Sequence, residues 1–199
     1  MLLVSIFIGL LSVLIPIVVI GAIIYIIVRR REGKSLFTAY HALITYFYIV
    51  IAASVITMAT GIAYLAFAGL TQAFDGQEIA DDITLGFTLL GTGLIICIPH
   101  LYGRRTVEKK DEKATTTLRR VYLFFMLGVF GIAGFVSLPL AINNTVRHYI
   151  EESLHRRDPS QQLATAIVVV PLWGYYLLRV LREMRGGTEG EDSSDKQAV

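Results

Sequence analysis

Several runs of 20 or more residues in this 199-residue chain contain no Asp, Glu, Lys or Arg. A soluble fold interleaves charge at helical or strand spacing, so charge-free runs of that length are the signature of membrane-spanning helices. All 34 charged residues fall instead in the connections, flanks and tail. The pattern implies an all-α, polytopic membrane protein. A lone cysteine, Cys97, rules out an intrachain disulfide and any multi-cysteine metal or iron–sulfur site. Set in an apolar run, it reads as a small buried hydrophobe.

Five spans are expected. The first, Leu2 to Val28, has no basic n-region and ends in Arg29, Arg30 and Arg31 without a small-residue cleavage site, so it reads as a retained helix and not a secretory signal. The second lies within Phe37 to Leu70 and overshoots a bilayer of about 30 Å, which assigns its Tyr-rich start, TAYHALITYFY, to the interface. The third runs from Ile83 to Tyr102. The fourth covers Val121 to Ala141, with an interruption at Pro139, and is followed by a short surface helix over Thr145 to His155. The fifth covers Leu163 to Leu181. These spans divide the chain into an amino-terminal helix with its basic stop (1–34), a first helical hairpin (35–103), a basic linker (104–120), a second hairpin (121–185) and an acidic tail expected to be disordered (186–199).

The basic residues orient this arrangement. With the amino end outside, fifteen of the eighteen Lys and Arg lie on the cytoplasmic side and only Arg147, Arg156 and Arg157 outside. That asymmetry is the positive-inside pattern. It places the carboxyl end in the cytoplasm of a cell whose plasma membrane holds the protein. The loop TQAFDGQEIADD, acidic and without a basic residue, falls outside, and it lacks the ligand spacing of a calcium loop.

Residues on the two sides of the linker echo one another. Tyr46-Phe-Tyr48 opens the second span much as Tyr122-Leu-Phe124-Phe125 opens the fourth, and Pro99-His-Leu-Tyr-Gly-Arg ends the third where the fifth has Pro171-Leu-Trp-Gly-Tyr. One helix followed by two repeated hairpins, related by an axis along the membrane normal, accounts for the echo. On Leu118-Arg-Arg-Val-Tyr122 and Val170-Pro-Leu-Trp-Gly-Tyr175, more weakly matched by Tyr46 and Ile98-Pro-His-Leu-Tyr102, the chain resembles a prokaryotic family of multi-pass membrane proteins known only as a domain of unknown function. The resemblance covers residues 38 to 183. The first copy departs from it by lacking the Arg-Arg pair and the Trp. It implies duplicated two-helix units and carries over no activity.

Candidate sites are few. His41 and His100 should share a depth on neighbouring helices, where they could ligate a haem iron or relay a proton; against this, interfacial histidines commonly bond a backbone carbonyl or headgroup. No span carries an ionisable residue at mid-membrane, which a proton-coupled carrier usually needs. Hydroxyls such as Thr57, Thr92 and Ser137 are the only polar groups left from which a permeation path could be built. No nucleophile elbow, phosphate loop, HExxH motif or paired catalytic carboxylate is present, so an enzyme is not expected. In the linker, Arg104, Arg105, Lys109, Lys110, Lys113, Arg119 and Arg120 could contact anionic lipid or a partner protein. Nucleic acid is not expected, since aromatic residues do not interleave them. The expected function is a structural or accessory subunit packing against itself or a larger membrane complex, such as a bioenergetic one. The alternatives are a small-molecule or ion permease on the parallel repeat and a haem-binding redox protein.

Overall fold

The computed structural model describes residues 39–74, 79–108, 112–150 and 159–195. The chain divides into a unit of Met1–Leu43, of which only the first residues of one helix are described, and a unit of Ile44–Val199 that holds everything discussed below. Four helices make up the described residues: α1 (Ala39–Phe74), α2 (Ala80–Glu108), α3 (Glu112–Ile150) and α4 (Ser160–Asp195). Helix is the expected outcome for such runs, because backbone polar groups in hydrocarbon must be satisfied within the segment itself. The stretches Ala42–Phe74, Ala80–Glu108, Thr115–Ile150 and Ser160–Arg185 are each long and apolar enough to cross a membrane. Their outward faces agree, with Ile95 75 %, Phe135 83 % and Ile150 77 % exposed. In water such a surface would be an aggregation liability, whereas in lipid it costs nothing.

The first of the five expected spans, Leu2 to Val28, lies outside the described residues, so four are seen. The other boundaries differ from the sequence reading in one direction: every helix is longer. α2 and α3 absorb most of the expected linker, leaving only residues 109–111 between them. α3 runs through Pro139 without a break and continues to Ile150, so the described part of the expected surface helix is the last turns of α3. Proline removes one backbone hydrogen bond, a local cost that a long packed helix absorbs. α4 passes Pro171 and runs on to Asp195, so most of the stretch read as disordered is helical. Once a helix is nucleated, each further residue adds one hydrogen bond, and polar composition alone does not end it.

Close approach decides the packing of α1 on α2. A Cβ placed on Gly61 would lie 2.7 Å from the Gly86 carbonyl oxygen and 2.7 Å from the Leu90 amide nitrogen, so backbone meets backbone. Gly93 similarly faces Met58 and the Ser54 carbonyl. Small residues permit this approach, and dispersion across it holds helices together where lipid removes the hydrophobic drive. α3 and α4 meet through side chains, with Trp173 over Gly131 and Val169 near Gly134. α1 then joins the second pair through an apolar core of Ala52, Ala59, Leu123, Met126, Phe130 and Val169. Tyr48 meets Tyr122 and Phe74 meets His148, so α1 and α3 run side by side in the same direction.

Candidate functional site: the polar end of the bundle

Each helix carries its apolar stripe into polar residues at one end, where the start of α1, the end of α2, the start of α3 and the end of α4 meet. On α2 the inward stripe Gly86, Gly93, Cys97 extends at helical spacing to Arg104 and Glu108. On α4 buried Tyr176 and Val180 lead to Glu183. Two carboxylates are therefore turned toward the bundle and are only partly exposed.

Glu108 gathers one group of contacts. Tyr48 is 5 % exposed, and its hydroxyl donates to Glu108 Oε1 at 2.6 Å. Arg104 Nε lies 3.5 Å from the same oxygen, near enough for an ion pair but not aligned as a hydrogen bond, and the guanidinium sits 5.2 Å from the centre of the Tyr48 ring. Bonds to an ionised acceptor are the stronger class, each contributing roughly 1.5–3 kcal/mol. Glu183 gathers the other group: it accepts a short hydrogen bond from Arg119, and Arg120 Nε lies 3.9 Å away. Both arginines are about half exposed, so solvent screens these pairs to roughly 0–1 kcal/mol.

Aromatic rings connect the two groups. The rings of Tyr48 and Tyr122 are 5.2 Å apart, the Tyr122 and Tyr176 hydroxyls share a hydrogen bond at 3.2 Å, and Tyr176 stacks on Phe130 at 5.7 Å. At the edge, Arg179 donates to the Tyr175 hydroxyl at 2.7 Å.

His100, a candidate ligand from sequence, uses both ring nitrogens. Its Nδ1 lies 2.7 Å from the Ile96 carbonyl, which can only accept, so Nδ1 donates there, and Nε2 shares a hydrogen bond with the Tyr46 hydroxyl at 3.2 Å. An iron at Nε2 would have to displace Tyr46. The side chain of His41 is outside the description, so the pairing of the two histidines is too. Among the described residues no group of three or more His, Cys, Asp or Glu could hold a metal ion.

The basic residues separate. Arg104, Arg119 and Arg120 are engaged with Glu108 or Glu183, Arg105 is exposed and makes no ion pair among the described residues, and Lys109, Lys110 and the Lys113 side chain lie outside them. Between the end of α2 and the start of α3 an open cleft of about 630 Å³ is lined by Tyr102, Arg105, Thr106, Glu108, Thr115, Thr116 and Arg119. By sequence Tyr48 falls in the interfacial stretch TAYHALITYFY, and Glu108 is one acid within the basic linker. Glu183 has no expected role. The signal that would have found both carboxylates is the helical stripe, followed past the last apolar residue.

Residues 45–175 match the family described as a domain of unknown function, DUF5671, and the chain belongs to that family. No curated protein and no solved structure matches it.

Proposed function

We propose that this protein is a non-enzymatic membrane subunit, an accessory or scaffold component that packs against copies of itself or a larger membrane complex. The observation that carries this reading is the state of its hydroxyls. A permease needs Thr57, Thr92 and Ser137 on one polar path, yet Thr57 donates to the carbonyl of Ala53, Thr92 is exposed on the outer face of α2, and Ser137 is buried. Thr60, Thr88 and Thr165 likewise bond the carbonyl four residues back. Between α1, α3 and α4 the interior is filled by Leu123, Met126, Phe130 and Val169. Threonines that satisfy their own helices, and a Ser137 shut away from them, around an apolar core, are those of a packing element.

Two finer features belong to the same proposal. The hairpins α1–α2 and α3–α4 are duplicated units: the Tyr46–His100 and Tyr122–Tyr176 hydrogen bonds each join residues 54 positions apart, and α1 runs parallel to α3. The polar end faces the cytoplasm of a prokaryotic cell, supported by the positive-inside count. Purification of the full chain in mild detergent, read by mass spectrometry and by absorbance, tests the functional reading. Stable partners or a homo-oligomer, without a Soret band, are expected. A colourless monomer that co-purifies with nothing would refute it. A single cysteine at Thr116 in a Cys97→Ala background tests the orientation, since an impermeant maleimide added to whole cells should leave it unlabelled.

A further inference from the structure

We propose that the cleft between the end of α2 and the start of α3 binds the phosphate of an anionic phospholipid. This is independent of the subunit reading and needs only that the four helices cross a membrane. The lining suits a phosphate. Arg105 and Arg119 place two guanidinium groups in it, the side chain best matched to phosphate oxygens, and the exposed Tyr102 adds a hydroxyl. Thr115 and Thr116 lie in the first two turns of α3, on the positive side of that helix's dipole. Among the described lining residues the carboxylate, Glu108, is already bonded by Tyr48 and paired with Arg104, so its charge is balanced from the bundle side. Arg119 holds Glu183 with one terminal nitrogen and keeps other donors, and Arg105 makes no ion pair among the described residues.

A lipid and not a free anion is the occupant because of what adjoins the cleft. Tyr102, 77 % exposed, continues at helical spacing into Ile98 (63 %) and Ile95 (75 %). That apolar stripe runs from the cleft along the membrane-facing side of α2, a track on which an acyl chain can lie while its headgroup sits among the arginines. Basic pockets between membrane helices bind anionic headgroups in this manner.

The test is native mass spectrometry of the full chain released from nanodiscs that mix phosphatidylglycerol with phosphatidylcholine. The wild type should retain phosphatidylglycerol preferentially, and Arg105→Gln should lower that retention about fivefold, the effect of one well-placed charge. Arg120→Gln lies outside the cleft and should retain as the wild type does. Arg105 is exposed, so its substitution leaves the core intact, and a folded elution profile checks this. Equal retention by wild type and Arg105→Gln would overturn the proposal, as would an equal loss in Arg120→Gln, which would reduce the effect to net charge. Displacement of the lipid by millimolar inorganic phosphate would overturn the lipid assignment in favour of a soluble anion.

Discussion

Gly61→Ala places a methyl group against backbone, and its cost follows from the geometry. The added Cβ would lie 2.7 Å from both the Gly86 oxygen and the Leu90 nitrogen, whereas ordinary contact begins at 3.4 Å. Neither atom belongs to a side chain that can rotate away, so α1 and α2 must separate by about 0.7 Å, the difference of those distances. A radial gap of 0.5–1 Å forfeits roughly a quarter to a half of each dispersion well along the seam. In lipid no hydrophobic drive compensates. Overpacking of this kind costs about 1–3 kcal/mol, against a gain of up to about 1 kcal/mol from replacing a helical glycine. Gly91→Ala is the control: nothing lies within 4 Å of its Cβ, so only the propensity gain remains. Thermal denaturation in detergent, followed by the surviving size-exclusion peak, should show Gly61→Ala melting several degrees below wild type and Gly91→Ala at or above it. If Gly61→Ala melts with or above the wild type, the backbone contact between α1 and α2 is wrong.

Other perturbations separate strong from weak contacts. Tyr48→Phe leaves Glu108 facing the bundle without its hydroxyl donor, so a loss of roughly 1–3 kcal/mol in detergent stability is expected. A double-mutant cycle on Arg119 and Glu183 should yield a coupling of about 1 kcal/mol or less, falling with added salt, because the pair is partly exposed. Ser137 is buried with its hydroxyl unpartnered, so Ser137→Ala should leave stability unchanged or raise it by about 1 kcal/mol. Cys97, 4 % exposed, should resist maleimide in the folded protein and react once it is unfolded in denaturing detergent.

Much of the architecture was legible because it rests on a one-dimensional property. Apolar runs without charge can only be helices in lipid, so the spans around Val55, Leu89, Phe130 and Val169 are readable without any knowledge of their neighbours. Their ends were not. Composition marks where hydrocarbon stops, but a helix extends as long as its hydrogen bonds continue, which is why α2 reaches Glu108 and α3 passes both Pro139 and Asn144. The candidate site was half visible. Arg105 and Arg119 stood out as charge, but which basic residues are held by carboxylates and which line an open cleft depends on how four helix ends converge.

By itself, then, the sequence determined the class of fold, since hydropathy and the need to satisfy backbone groups act locally. Tertiary structure alone decided which faces meet. It set Gly61 against Gly86, turned Glu108 and Glu183 inward to Tyr48 and Arg119, and opened the cleft beside Arg105. Those outcomes depend on pairwise distances between residues as many as 64 positions apart, such as Arg119 and Glu183, and no single stretch of chain encodes them.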